Sequence, residues 1–174
     1  MKAAAPFAQW GDDAYRKPGV EQLALRLQDE CGLNVVFLLW CLWCAAHFGE
    51  PSPAILRRAL EATQHWSAGV VDPLRAARRF LRTPPREARA EPAAALRDRI
   101  KDAELAAERI LQDMLERLAE THFRPAPGEA SARARRLLAA YIRQTGAAQR
   151  PSFSVSLIEE LIARTLDGLD SDAP

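Results

Sequence analysis

The sequence predicts an all-α fold, a single bundle of about seven helices around one buried central helix near residues 34–48. Three observations carry this expectation. A greasy run at 33–48 is apolar on every side. Apolar residues elsewhere return at three- and four-residue spacing. Helix caps and breakers punctuate those segments, and no stretch alternates as a half-buried strand does.

Residues 7–16 read as a short first helix with Phe7, Trp10 and Tyr15 as its packing groups. Pro18 suits the first turn of the next, where Val20, Leu23, Ala24, Leu27 and Cys31 form one stripe. Gly32 can close that helix in the left-handed conformation, and Asn34 can cap its successor. The successor has no polar face, so it must be surrounded. Ser52 with Pro53 starts a helix whose inner stripe is Ile55, Leu56, Ala59, Leu60 and Thr63. The pattern weakens at 66–69, and another helix reads from about Pro73 to Arg82, with Leu74, Ala77, Phe80 and Leu81 inward. Residues 83–92 are rich in proline and charge, which makes them a mobile internal loop.

The longest helix spans about 93–122. Leu96, Ile100, Ala103, Ala107, Ile110, Met114 and Leu118 step by four and three, the spacing of a narrow coiled-coil-like seam. Pro125, Pro127 and Gly128 end it. Ser131 is positioned to cap a helix carrying Ala134, Leu137, Leu138, Tyr141 and Ile142, which Gly146 stops. Ser156 with Glu159 fits a capping box before Leu157, Ile158, Leu161, Ile162 and Leu166. One helical domain over 1–170 is expected, with a frayed tail at 171–174.

Composition narrows the function classes. The 174 residues carry 24 basic and 23 acidic side chains, so no global field draws the chain to nucleic acid or membrane. No apolar run reaches the roughly 20 residues of a membrane span. The start lacks the apolar core of a signal peptide. Three cysteines, two of them inside the apolar run, imply no disulfide framework. A cytoplasmic setting is expected, and the abundance of arginine and alanine suggests a bacterial, GC-rich genome.

Several segments together resemble an uncharacterised family of small proteobacterial conserved hypothetical proteins. They are Pro18-Gly19-Val20, LQDECGLNVVFLLWCLW at 27–43, VVDPLRAARRFL at 70–81 and LRDRIKDAELAAERILQDML at 96–115. Residues beyond about 122 match least. The resemblance implies a helical bacterial protein and brings no activity, cofactor or catalytic residue.

Read from the residues alone, the chemistry is sparse. Cys41, Cys44 and His47 recur every three residues and could hold zinc with a fourth ligand such as His65, Glu61 or Cys31. The competing reading, which the surrounding grease favours, makes them packing groups, with His47 where the helix reaches water. No Glu-x-x-His pair supports a diiron site, and phosphate loops and nucleophile elbows are absent. No cofactor is expected. Glu104 and Glu108 border the seam of the long helix and can pair with arginines of a neighbour, Arg78 best placed among Arg75, Arg78, Arg79 and Arg82. Such a row is an interhelical network, a pocket or a solvated face. Arg133, Arg135, Arg136 and Arg143 are the strongest phosphate-contacting row, yet no helix-turn-helix spacing accompanies them.

Two functions remain. The first is binding of a protein partner or self-association through the long helix, whose seam exceeds what the other helices can cover. The second is a bundle that binds or transforms an anionic small molecule, with Arg75, Arg78, Arg79, Glu104 and Glu108 lining the pocket.

Overall fold

The computed structural model describes residues 5–122 and 128–167. Pro125, Pro127 and the tail at 171–174 lie outside the described residues. The described chain is all-α: α1 Phe7–Tyr15, α2 Val20–Cys31, α3 Val35–His47, α4 Pro53–Trp66, α5 Asp72–Phe80, α6 Ala90–His122, α7 Ala130–Thr145 and α8 Val155–Leu166. The expectation of one domain over 1–170 stands beside a division into two compact units, Met1–Leu60 with Gln112–Pro174, and Glu61–Leu111.

In the larger unit α3 is the hub. Nine consecutive residues, Phe37 to Ala45, are buried, and α1, α2, α7 and α8 pack on it. Its start is fixed as expected: the Asn34 side chain accepts the Phe37 N–H at 3.0 Å, while the Asn34 N–H donates to the Tyr141 hydroxyl at 2.8 Å. Buried indoles need a partner for their N–H. Trp40 donates to the Leu115 carbonyl and Trp43 to the Ala5 carbonyl, both at 3.0 Å. Phe37 packs against Tyr141 with centroids 4.6 Å apart, and Phe7 against Trp43 at 5.4 Å.

The helix ends of this unit are closed largely by distant side chains. Pro6 offers no cap to α1, and the Glu116 carboxylate takes its place, accepting the Phe7 N–H at 3.1 Å. An anion there also suits the positive end of the helix dipole. At the far end of α3, Arg133 donates from Nε to the Ala45 carbonyl at 2.8 Å and from Nη1 to the Gly128 carbonyl at 2.5 Å. Lys17 donates to the Thr165 carbonyl in the last turn of α8 at 2.8 Å. Gly32, with φ 70°, closes α2 in the left-handed region, where a β-carbon would be strained. Two expected caps are displaced. Ser154, rather than Ser156, caps α8 by accepting the Ser156 N–H, and α7 begins at Ala130 with Glu129 as N-cap and no side-chain cap bond there.

The smaller unit holds the end of α4, a π-helical stretch Ser67–Val71, α5, and α6 as far as Leu111. The weak pattern at 66–69 is therefore a wide turn inside a continuous helical run, in which one extra residue per turn shifts the phase of α5. The loop is shorter than 83–92, because α6 starts at Ala90. Pro92 sits in its first turn, where a missing N–H costs nothing.

Two inward faces differ from expectation. In α5 no residue is fully buried; Ala77 is exposed and Phe80 is 64 % exposed. In α6 the buried row is Ala93, Glu104, Ala107, Leu111, Leu115 and Ala119, while Leu96, Ala103, Ile110 and Met114 of the apolar seam are exposed. The helix is turned by roughly 70° from the orientation its apolar residues alone would choose. The charged groups described next supply the reason.

Candidate functional site

Arg75 and Arg78 lie three apart on α5, and Glu104 and Glu108 four apart on α6, so each pair shares a helix face. The structure brings the four together. Arg75 donates from Nε to Glu104 at 3.1 Å and from Nη2 to Glu108 at 2.9 Å. Arg78 donates from Nε and Nη2 to the two oxygens of Glu104 at 2.5 and 3.3 Å, a forked contact that fits the planar guanidinium. Asp72 adds a looser charge contact to Arg75 at 3.7 Å. Arg79 stands apart, exposed and with no ion pair among the described residues.

Glu104 is the pivot: buried, yet touched by two cations. Burial pushes its carboxyl up, but the hydrogen bonds and charges of Arg78 and Arg75 outweigh that, and its pKa is lowered. Arg78 is raised, first by its bond to Glu104. Glu108 goes the other way, because burial raises it, Glu104 adds repulsion, and Arg75 with the more distant charge of Arg78 does not compensate. The Trp66 indole donates to the Ala107 carbonyl at 2.9 Å, fixing α6 at this height beside the network. Trp66 carried no signal of this role in the sequence, since the bond reaches backbone 41 residues away.

Two guanidiniums and two carboxylates balance in charge. Arg75 and Arg78 each direct Nε and Nη2 at glutamates, so the arrangement works chemically as an interhelical clamp.

The sulfur cluster has no ligand geometry. Cys41 and Cys44 are completely buried in α3, and burial pushes both thiols up, away from the thiolate that binds metal. Among the described residues no group of three or more His, Cys, Asp or Glu could hold a metal ion. His47 lies between indoles instead, 6.4 Å from Trp10 and 6.0 Å from Trp43, with a buried Nε2 that has no hydrogen-bond partner. Burial lowers its pKa. The folded chain thus binds fewer protons there than the unfolded chain, and the contribution is present above the unfolded value of about 6.5 and lost as pH falls below it. His47→Phe is expected to shift neutral stability by less than about 1 kcal/mol and to flatten the fall in Tm between about pH 7 and 5.5. An unchanged slope in thermal scans across that range would contradict this.

Three arginines of the α7 row bond within the chain. Arg133 is buried on the α3 terminus, Arg135 pairs with Glu159 at 2.8 Å, and Arg136 pairs with Glu50. Arg143 lines a shallow groove with Arg136, Glu50 and Leu56.

Residues 7–115 match the model of the family described as "Protein of unknown function (DUF2390)". The chain belongs to that family. The matched span takes in α1 to α5 and most of α6, and so includes Arg75, Arg78, Glu104 and Glu108; α7 and α8 fall outside it. The family is uncharacterised and carries no activity to this member, in keeping with the resemblance read from the segments at 18–20, 27–43, 70–81 and 96–115. No curated protein and no solved structure matches the chain. No described helix of this DUF2390 member is long and apolar enough to cross a membrane.

Proposed function

We propose that this is a small bacterial, cytoplasmic helical protein that works by protein binding, and that its partner is a second copy of itself paired along α6. One observation carries the reading: the heptad-spaced row Leu96, Ala103 and Ile110 lies on the surface, with Leu96 46 % and Ile110 48 % exposed. Such a row is self-complementary about Ala103. An antiparallel two-fold sets each leucine against the other copy's isoleucine, with the two small alanines facing at the centre. The thinness of the smaller unit supports it too. Val71, Ala93, Ala107 and Leu111 are the fully buried apolar residues in a stretch of about fifty, a meagre core for that length. Phe80, 64 % exposed, extends the apolar surface of the same unit. Buried free cysteines suit a reducing compartment.

The anionic-ligand alternative draws less support from Arg75 and Arg78, whose charge is met by Glu104 and Glu108. Light scattering at about 50 μM is expected to return a dimer, and Ile110→Glu, which leaves each chain helical by circular dichroism, a monomer. A monomeric native chain at that concentration, or a dimer indifferent to Ile110→Glu, would overturn the reading.

A further inference from the structure

We propose a second site, independent of α6 pairing: the cavity of about 350 Å³ between the end of α5 and the first turns of α6 binds a soluble phosphate monoester. Leu81, Arg82, Pro84, Ala93, Ala94 and Arg97 line it. The two arginines differ from those of the clamp, since neither has an ion pair among the described residues. The Nε of Arg97 is buried with no hydrogen-bond partner at all. Leaving that N–H unmade is costly, and an anion in the cavity offsets the cost through the rest of the guanidinium, since Arg97 as a whole is only half-buried. Arg82, exposed and lining the same cavity, supplies the second cation.

Two guanidiniums match a dianion better than a single carboxylate, and a phosphate monoester carries close to two charges near neutral pH. The start of α6 adds the positive end of the helix dipole. The acidic neighbours Glu87, Glu91 and Asp98 are all exposed and pair with neither arginine. The remaining lining is apolar or small, and the volume exceeds that of a phosphate group. The ester body therefore has to be compact and uncharged, lying against Leu81, Pro84 and the alanines.

Arg97 comes one helical repeat of seven before Glu104, on the same side of α6. Where Glu104 meets two arginines, Arg97 meets no carboxylate among the described residues, and that asymmetry separates a site from a clamp.

Calorimetric titration of the full chain with phenyl phosphate tests the proposal, with butyrate as the monoanionic comparison. Saturable binding is expected, stronger than for butyrate by about tenfold or more. Arg97→Met and Arg82→Gln each weaken it by about tenfold or more, whereas Arg79→Gln leaves it unchanged. Arg82 is exposed, so its variant keeps the test valid if Arg97→Met unfolds. Absence of saturation up to about 10 mM, or equal losses in Arg79→Gln and Arg82→Gln, would overturn the site. Sedimentation with phosphatidylcholine vesicles containing phosphatidic acid separates the other source of phosphate. The protein is expected to stay in the supernatant, and Arg97-dependent sedimentation without phenyl phosphate binding would overturn the soluble ester.

Discussion

Trp40→Ala is expected to cost roughly 3–5 kcal/mol, a large share of the 5–15 kcal/mol that holds an ordinary domain together. Trp40 is completely buried near the middle of α3, its ring 5.2 Å from that of Phe37 and its indole N–H on the Leu115 carbonyl. Truncation removes the transfer free energy of the largest side chain in the core and leaves a cavity that close-packed neighbours fill only in part. The effect is spread over several elements, because α3 is the surface on which α1, α2, α7 and α8 pack. Urea unfolding followed by far-ultraviolet circular dichroism is expected to show a lower midpoint with little change in slope, the signature of lost stability without a change in surface exposed. Trp40→Phe keeps most of the volume and is expected to lie between the two. A midpoint that does not move would contradict the placement of α3 at the hub.

Why α3 was legible is a matter of locality. An apolar run bounded by Asn34 and His47 has few ways to satisfy both its backbone and its surface, and a surrounded helix answers both needs. The Asn34 cap and the Ser52–Pro53 start depend on neighbours three residues away, and the structure forms both. Arg133 shows the opposite case. On its own helix it reads as one of an exposed basic row. The carbonyls at the end of α3 lacked a local donor, and a residue 88 positions away supplied one.

The phase of α6 shows what apolar spacing leaves out. Counting hydrophobic residues selects the seam through Leu96, Ala103, Ile110 and Met114, and a sequence reading has no reason to bury a glutamate in preference. Two guanidiniums 26 and 29 residues earlier change the balance. Turned inward, Glu104 meets both, and Ala107 comes beneath Trp66. The cost is an aliphatic row left at the surface. The glutamates were visible at the edge of the seam, and Arg78 as their best-placed partner; that they would draw the edge inward depends on the phase of α5, which the π-helical turn at Ser67–Val71 resets. Such turns have no reliable mark in sequence. Arg97 reads in sequence as a continuation of the glutamate row towards the amino end; that it stands unpaired was not legible for a related reason, since its isolation is defined by what fails to pack near it.

The clamp also fixes the second large effect. Glu104→Ala is expected to lose about 2–4 kcal/mol, less than the 3–5 kcal/mol of a fully buried broken pair because Arg75 and Arg78 remain partly in water. Glu104→Gln keeps the shape and removes the charge, which isolates the electrostatic part. The pH dependence then separates the two glutamates by sign. With its folded pKa lowered, Glu104 contributes stability that is present above the ordinary carboxylate value of about 4.3 and lost as pH falls through the depressed one. Glu108, raised by burial, binds its proton more readily folded than unfolded. Its ionised form therefore costs stability at neutral pH, and that cost fades as pH falls through the raised value. Urea midpoints from about pH 7 to 3 are expected to show Glu104→Gln destabilised at neutral pH with a flatter acid limb. Glu108→Gln is expected to be near neutral at pH 7, since its own ionisation penalty offsets the lost bond to Arg75, and to lack the gain on mild acidification. Equal losses for the two variants at every pH would show instead that burial of Glu104 has no special weight, and the rotation of α6 would need another cause.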